Sequence, residues 1–164
     1  MKPRWWYGIV LNLLIAVLGV SLAAIYVIHS RKEKSRTLEI RDAVSGRVYG
    51  KWPLKEGEEF AVEFTHSVHQ SPVREIYIIE GNMILPWAVR FYSFGAGMKS
   101  DLEEGQTLSK DGDALLITGF CTGTKEFNYI VSDHILLINA QEINLREFCG
   151  KNKAVTIRYY GEKI

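Results

Sequence analysis

The densest group of side chains capable of chemistry lies in residues 64–77, FTHSVHQSPVREIY. The candidate metal donors are His66, His69, Glu75 and, farther along the chain, His134. Three nitrogen or oxygen ligands and one open position are the arrangement of a hydrolytic zinc centre. Residues three apart on a strand point to opposite faces, so the first two histidines converge only if a turn separates them. A metal-dependent or hydrolytic ectoenzyme centred on these residues is therefore one interpretation of the stretch.

Two other interpretations of the same stretch need no metal. In the first, His66 is a hydrogen-bonded histidine at the end of a strand, and His69 is exposed in a loop. In the second, His66 and Glu75 form a polar pair that fixes the hairpin around Pro72 or presents it to a partner. A neighbouring carboxylate favours the charged histidine, so such a pair would respond to pH. We predict no metal site here and keep the ectoenzyme as the alternative function.

Two glycine-containing motifs have the form of catalytic or nucleotide-binding signatures without their context. Residues 119–123, GFCTG, spell the G-x-C-x-G of a nucleophile elbow, but a strand rather than a helix is expected after them. The SFGAG sequence at 93–97 is followed by no helix start or P-loop lysine where a phosphate site needs them. We therefore predict no catalytic residue and no cofactor, and we interpret SFGAG as a bulge or tight turn that ends a strand.

Three motifs in and after residues 64–77 carry a resemblance to a known family. They are T-H-S-V at Thr65–Val68, P-V-x-E-x-Y at Pro72–Tyr77 and F-x-S-x-G-A-G at Phe91–Gly97. Together they resemble an uncharacterised bacterial domain-of-unknown-function family whose genes commonly lie beside those of TRAP transporters of the TAXI class. The resemblance covers roughly residues 38 to 160.

The resemblance implies a small, β-rich, extracytoplasmic domain, often behind one hydrophobic segment, that is accessory to a solute transporter. It brings no established catalytic mechanism. The chain differs from the family pattern in its pair of cysteines and at Gln70-Ser71. The motif positions that we expect to contact a partner or ligand are His66, Ser67, Pro72, Glu75, Tyr77, Ser93, Gly95 and Gly97.

The residues from 38 onward predict an all-β domain that would position these motifs. Short runs rich in β-branched and aromatic residues recur, separated by turn sequences such as Asp111-Gly112-Asp113. The predicted strands are LEIRD (38–42), RVYGKW (47–52), EFAVEFTHSV (59–68), REIYIIE (74–80), MILPWAVRFYSF (83–94), ALLITGF (114–120), FNYIV (127–131), HILLINA (134–140), EINL (142–145) and AVTIRYY (154–160). About ten short strands at this spacing predict a β-sandwich or a small barrel.

The chain contains two cysteines, Cys121 and Cys149. An even pair suits an oxidising exterior. A bridge between them would close a loop of about 29 residues, for which the chain-entropy model gives roughly 3.5 kcal/mol of stabilisation. We predict this disulfide, and two free thiols are the alternative.

The first 29 residues predict a membrane anchor. Residues 8–28 contain no charged side chain, and a helix of that length, at about 1.5 Å per residue, covers the roughly 30 Å of bilayer hydrocarbon. The aromatic residues that favour the headgroup level are Trp5, Trp6, Tyr7 and Tyr26. A cleaved signal peptide with its site near Ser21-Leu22-Ala23 is the alternative, but the apolar run continues beyond that site.

The net charge of +1 is a cancellation between two segments. The first 36 residues carry six basic side chains and one acidic one, whereas the rest of the chain carries 14 basic and 18 acidic side chains.

Residues 30–37 form a basic tether next to the headgroups, and the acidic domain at 38–164 offers no basic face to nucleic acid. We predict a single-pass protein of the cytoplasmic membrane with its N-terminus inside and the β domain outside, although the basic residues flanking the span, by number alone, favour the reverse.

These features together predict a membrane-anchored, non-enzymatic accessory protein of a TAXI-type TRAP transporter. Its partners would be the lipid bilayer and either the membrane subunit of the transporter, its substrate-binding protein or both. Besides the ectoenzyme, a small-ligand binding module that uses the mouth of a barrel is an alternative.

Overall fold

The computed structural model describes residues 17–19, 21, 36–68, 70–93 and 101–161. The chain divides into two compact units, residues 1–34 and 35–164. In the first unit the described residues are helical, and the Ser21 hydroxyl donates a hydrogen bond to the Val17 carbonyl at 2.8 Å. No helix within the described residues is long and apolar enough to cross a membrane. Most of the span predicted at 8–28, and its aromatic residues Trp5, Trp6, Tyr7 and Tyr26, lie outside them.

The second unit consists, in its described part, of eleven strands and one short helix. Their bounds are β1 (Arg36–Asp42), β2 (Val48–Pro53), β3 (Glu59–Thr65), β4 (Pro72–Glu80), β5 (Met83–Phe91), β6 (Thr107–Asp111), β7 (Ala114–Thr118), β8 (Glu126–Ile130), β9 (Ile135–Ile138), β10 (Gln141–Asn144), α1 (Leu145–Cys149) and β11 (Ala154–Gly161). The strands form two antiparallel sheets, one in the order β2-β1-β11-β8 and one in the order β10-β9-β3-β4-β5-β7-β6. The all-β prediction is confirmed, and the two sheets make the unit sandwich-like.

The core lies between the inner faces of the two sheets, because alternate residues of each strand point inward. The core residues that are no more than 2% exposed include Leu38, Ile40, Phe60, Val62, Ile79, Leu136, Ile157 and Tyr159. Burying such a side chain stabilises the fold by about 1.5–3 kcal/mol. The sandwich is therefore held chiefly by residues from β1, β3, β4, β9 and β11.

Three differences from the predicted strands have local causes. β3 ends at Thr65 rather than at 68, because the His66 N–H donates to the Ser71 carbonyl at 2.9 Å and closes a loop. β6 escapes prediction because all five of its residues are exposed and no alternation marks it. α1 begins where a strand was expected to end, since the Asn144 side chain caps it by accepting hydrogen bonds from two backbone N–H groups.

One end of the unit, the tether end, is where β1 begins at Arg36. The Leu54 N–H donates to the Arg36 carbonyl at 3.1 Å. The Glu56 carboxylate accepts one hydrogen bond from the Arg36 guanidinium and one from the Gly81 N–H, each at 2.6 Å. The β2–β3 and β4–β5 connections therefore lie beside the residue at which the chain arrives from its N-terminal segment.

The opposite end, the motif end, carries the T-H-S-V loop. The Thr65 N–H donates to an Asp133 carboxylate oxygen at 3.1 Å, and the Val131 N–H donates to the Lys153 carbonyl at 2.9 Å. These bonds join the β3–β4 and β8–β9 connections to the start of β11. Because β3 is seven residues long, the motif end lies roughly 23 Å from the tether end at about 3.3 Å per residue.

Candidate functional site

The P-V-x-E-x-Y motif opens β4 and directs one carboxylate into the sandwich. Val73, Tyr77 and Ile79 are buried, and Glu75 shares their face by strand alternation. In the strand register Glu75 lies opposite Val62 of β3 and Val89 of β5. Its neighbours on both adjacent strands are therefore aliphatic.

Glu75 is held by two tyrosines, one from each sheet. The Tyr77 hydroxyl donates to Glu75 Oε2 at 2.8 Å, and the Tyr129 hydroxyl from β8 donates to the same oxygen. The two hydroxyl oxygens are 2.9 Å apart. No described residue donates a hydrogen bond to Oε1. One carboxylate oxygen of Glu75 thus joins the two sheets.

The electrostatics of this group differ from those of an ordinary ion pair. Burial raises the pKa of Glu75, and the hydrogen bond from Tyr77 opposes that rise without cancelling it. Burial, followed by the negative charge of Glu75, raises the pKa of Tyr77, so its hydroxyl keeps its proton and remains a donor. With no cation in the group, the carboxyl binds a proton more readily than an exposed glutamate does.

Aromatic rings fix the tyrosine hydroxyls in place. The Tyr77 ring stacks between Phe60 and Phe127, with centroid distances of 5.0 Å on both sides. The Tyr129 ring meets Phe127 edge to face at 5.5 Å. Such packing leaves the hydroxyls few alternative positions, so the hydrogen bonds to Glu75 are preorganised.

His134 closes the same cluster toward the motif end. Its ring is 8% exposed and lies 5.1 Å from the Tyr129 ring and 5.2 Å from the Phe64 ring. Its Nδ1 accepts a hydrogen bond from the Ser132 N–H at 3.1 Å. Burial lowers the pKa of His134, and the charge of Asp133 offsets part of that shift. His134 therefore binds a proton less readily than an exposed histidine does.

The T-H-S-V loop, which the structure describes at residues 66–68, 70 and 71, is closed by hydrogen bonds within it. The Val68 N–H donates to His66 Nδ1 at 3.3 Å, and the Gln70 side chain donates to the Ser67 carbonyl at 2.7 Å. Gln70 has a φ of 49°, which the tight reversal requires. Ser67, Val68 and Pro72 are exposed. The loop thus presents a defined surface whose apolar member, Val68, is 59% exposed.

These contacts bear on the interpretations of the T-H-S-V and P-V-x-E-x-Y motifs. His66 is a hydrogen-bonded histidine at the end of a strand, as the simplest interpretation predicted. Within the described residues the proposed His66–Glu75 pair is not formed, because Glu75 points into the core and takes its hydrogen bonds from tyrosines. The described residues contain no group of three or more His, Cys, Asp or Glu that could hold a metal ion, and His69 lies outside them.

The third motif is described only in part. Ser93 is half-buried just after β5, whereas Gly95 and Gly97 lie outside the described residues. Sequence reasoning missed Tyr129 and Asp133, which hold Glu75 and the end of β3. The signal that pointed to Tyr129 was the alternation of aromatic residues in FNYIV.

The predicted disulfide is absent, because Cys121 and Cys149 are both free. Cys121 is exposed in the connection after β7, while Cys149 ends α1 inside the core cluster. Burial raises the pKa of the Cys149 thiol to about 11, so it is protonated at neutral pH.

The G-x-C-x-G sequence has a packing explanation. Gly119 has a φ of 90°, and a Cβ at this position would collide with the backbone of Gly105. The connection continues to an isolated bridge between Thr124 and Ile84, and the next element is the strand β8 rather than a helix. The first glycine of the motif is therefore required by close backbone approach rather than by an elbow.

A groove of about 370 Å³ lies on the outer face of the seven-stranded sheet. Its floor includes Ala61 and the aliphatic residues Ile76 and Leu137 that flank it in register. Glu59 and Glu142 stand at its rim. The groove opens on the opposite side of β4 from Glu75, and its lining includes none of the positions expected to contact a partner or ligand.

Comparison with known proteins identifies a family but no characterised relative. A family profile described as "Domain of unknown function (DUF1850)" matches residues 60–145, just over half of the chain. That range includes Glu75, Tyr77, Tyr129 and His134. No curated protein and no solved structure matches the chain. The chain belongs to the DUF1850 family.

Proposed function

We propose that this member of the DUF1850 family is a membrane-anchored, non-enzymatic accessory protein of a TAXI-type TRAP transporter. In this proposal residues 8–28 anchor the chain in the cytoplasmic membrane, and the sandwich lies outside it. The T-H-S-V loop at residues 66–71 is the surface that docks the substrate-binding protein of the transporter.

Two features of the sequence support the transporter and the membrane. The three motifs resemble a family whose genes commonly lie beside those of TAXI-type TRAP transporters. The uncharged run at 8–28 has the length of a bilayer span, with basic residues beyond both of its ends. An accessory protein of this kind needs an exposed recognition surface rather than a reaction centre.

The observation that carries the proposal is that some residues of the T-H-S-V and P-V-x-E-x-Y motifs are buried while others are exposed. Glu75 and Tyr77 lie inside the sandwich, where their hydrogen bonds hold the start of β4 against the other sheet. Ser67 and Val68 are exposed on a loop closed by its own hydrogen bonds, and Pro72 is exposed at the start of β4. A rigid loop loses little conformational entropy on binding, and a large exposed aliphatic side chain at its tip supplies apolar contact.

In this proposal the partner of the loop is the substrate-binding protein, which, like the sandwich, lies outside the membrane. The loop lies at the motif end, at the other end of β3 from Arg36, roughly 23 Å of strand away.

A crosslinking pull-down from native membranes tests the proposal. The full chain is compared with Val68→Asp, which places a charge at the loop tip, and with the control Val44→Asp in the β1–β2 turn. Val44 is 91% exposed, so the two changes are similar in chemistry and harmless to the core. We expect wild type and the control to recover the substrate-binding protein, and Val68→Asp to recover at least tenfold less.

Two results would count against the proposal. If the wild-type chain recovered no transporter subunit, the proposed association with a transporter would be refuted. Equal recovery by Val68→Asp and the control would leave the transporter in place but move the docking surface away from the loop.

A further inference from the structure

The outer face of the seven-stranded sheet carries an apolar row where polar side chains are expected. Outward positions of an antiparallel sheet are normally polar because they face water. In the register of β9, β3 and β4, Leu137 lies beside Ala61, and Ala61 lies beside Ile76. The sequence neighbours Val62 and Leu136 are fully buried in the core, so the row points away from it by strand alternation. The packing between the two sheets therefore does not explain why these outward residues are apolar.

Ala61 makes this row concave. It has the smallest side chain of the three and is only 7% exposed although it points outward, because the larger Leu137 and Ile76 stand on either side of it. The result is the groove of about 370 Å³ described above. Sites for small ligands have volumes of roughly 300–1,000 Å³ and combine an apolar lining with a few polar groups. The groove has both properties.

The charged side chains of the groove give it a net negative charge. Its lining contains three of them, Glu59, Arg74 and Glu142. The Arg74 guanidinium is already paired, since its Nε and Nη2 each lie 2.8 Å from Glu63 Oε2. Among the described residues, none forms a hydrogen bond or an ion pair with the carboxylate of Glu59 or of Glu142. The groove therefore attracts cations and repels anions.

The two unpaired carboxylates are separated along the groove. Glu142 is the register partner of Leu137 and so lies two strands from Ala61, whereas Glu59 precedes Ala61 by two residues on β3. With about 4.8 Å between strands and about 3.4 Å per residue, the Cα atoms of Glu59 and Glu142 are roughly 12 Å apart. Leu137 and Ala61 flank the line that joins them. An apolar surface thus lies between two negative charges.

We propose that this groove binds a linear aliphatic diamine or polyamine from solution. One ammonium group of the ligand pairs with Glu59 and another with Glu142, and the methylene chain between them lies against Leu137 and Ala61. Charge-assisted hydrogen bonds to the carboxylates orient the ligand, and removal of the methylene groups from water adds to its affinity. This binding site goes beyond the proposed function and does not depend on it.

Other occupants fit the groove less well. A monoamine leaves one of the two carboxylates without a partner. An anion meets two carboxylates and an arginine that is already paired. A stable protein interface takes about 20–30 residues from each partner, whereas eleven residues line the groove. A small ligand with two separated positive charges is therefore the occupant that the lining favours.

Isothermal titration calorimetry of the full chain in phosphatidylcholine nanodiscs tests the proposal, with empty nanodiscs as the blank. The probes are diaminooctane, with an ammonium group at each end, and octylamine, which has the same chain and one charge. A third probe, the peptide acetyl-Lys-Ala-Lys-amide, carries its ammonium groups on a protein backbone. We expect diaminooctane to bind at one site per chain, at least threefold more tightly than either other probe. Absence of saturable diaminooctane binding, or equal or tighter binding of octylamine or the peptide, would overturn the proposal.

Two glutamate substitutions connect the binding to the groove. Glu59→Gln and Glu142→Gln each remove one charge and keep the shape of the side chain. We expect each to weaken diaminooctane binding about two- to fivefold, the range of an exposed ion pair, and the double variant to weaken it about tenfold. Glu104→Gln is the matched control, because Glu104 is exposed in the connection before β6, at the opposite edge of the same sheet from β10. Equal affinities for wild type and the double variant would refute the groove as the binding site.

Discussion

Two carboxylates in this protein are withdrawn from water in opposite ways. Glu75 points into the sandwich and has Val62 and Val89 as its register neighbours. Glu39 lies on the outer face of the four-stranded sheet, where its register neighbours are Lys51 and Arg158. Each accepts a hydrogen bond from a tyrosine, but cations stand beside only one of them.

The Glu39 group shows how the fold neutralises a structural carboxylate. Glu39 is 6% exposed, its Oε2 lies 3.4 Å from Lys51 Nζ, and it accepts a hydrogen bond from the Tyr160 hydroxyl at 2.9 Å. The hydrogen bond with Tyr160 and the neighbouring Glu39 raise the pKa of Lys51. The Arg158 guanidinium also lies 5.4 Å from the centroid of the Tyr160 ring. The negative charge on Glu39 is thus balanced by the neighbouring cations.

The difference teaches what each carboxylate does. A carboxylate with cations beside it can stay charged and stabilise the sheet surface through those contacts. A buried carboxylate without a neighbouring cation binds a proton more readily. Among the described residues, Glu75 accepts hydrogen bonds only from two tyrosine hydroxyls, and these come from different sheets. The carboxylate that fixes the start of β4, and with it the T-H-S-V loop, is therefore the one most sensitive to the loss of a neutral donor.

The largest expected effect comes from removing both donors of Glu75. Tyr77→Phe combined with Tyr129→Phe leaves the buried carboxylate without a hydrogen bond from the described residues. Because hydrogen bonds to charged groups contribute about 1.5–3 kcal/mol each, we expect the free energy of unfolding at pH 7 to fall by roughly 3 kcal/mol. Tyr160→Phe, the matched change at Glu39, should cost about 1 kcal/mol because Lys51 remains. Urea denaturation of the purified full chain measures both.

The distinction between Glu75 and Glu39 would fail if the double tyrosine variant and Tyr160→Phe lost equal free energy of unfolding. It is sharpened by adding Glu75→Gln to the double variant, because a neutral amide suffers less from the loss of its donors. We expect this addition to recover about half of the lost free energy, as a double-mutant cycle would report for coupled neighbours.

The architecture could be predicted from the sequence, but the direction of the Glu75 side chain could not. Turn residues bound most strands, so ten of the eleven strands have a counterpart in the sequence. In REIYIIE, however, both alternating sets contain isoleucine. Ile76 and Ile78 suggest one inner face, whereas the fold buries Tyr77 and Ile79 on the other. Period two alone cannot choose the face when apolar residues occupy both.

The sequence could place Tyr129 on an alternating face, but it could not pair that tyrosine with Glu75. Tyr129 lies 54 residues away and belongs to the other sheet, so its contact depends on how the two sheets are stacked. His66 and Glu75 are close in sequence, but a loop and the strand register separate them. The prediction of a disulfide was wrong because the position of Cys149 depends on α1 and its capping residue Asn144, which were not predicted.

The next effect is a pH dependence that belongs to Glu75. Its pKa in the folded protein is raised above the ordinary value of 4.5, chiefly by burial. The folded state therefore binds the proton more tightly than the unfolded state, and the stability gained from protonation is lost as pH rises through the folded pKa. Glu75→Gln keeps the shape and lacks this titration. We expect the stability of the variant relative to wild type to increase as pH rises from 4.5 and then to level off.

Thermal denaturation between pH 4 and pH 8 measures this difference, and the titration of His134 is common to both proteins. A constant difference across that range would show that Glu75 titrates as it does in the unfolded chain. Glu39→Gln is the control, and at pH 7 we expect it to be less stable than wild type because it loses its charge contact with Lys51.

The smallest expected effect is the loss of the cation beside Glu39. Lys51→Met keeps the aliphatic stem and removes the ammonium group, whose side chain is 52% exposed. The resulting drop in melting temperature should shrink when the salt concentration rises from about 0.1 M to about 1 M, because the Debye length falls from roughly 10 Å to roughly 3 Å. The Tyr77→Phe/Tyr129→Phe variant should lose the same amount of melting temperature at both salt concentrations, because the hydrogen bonds that it lacks lie between the sheets. A salt dependence shared by both variants would mean that solvent reaches Glu75 as freely as Lys51, and the distinction between the two carboxylates would then fail.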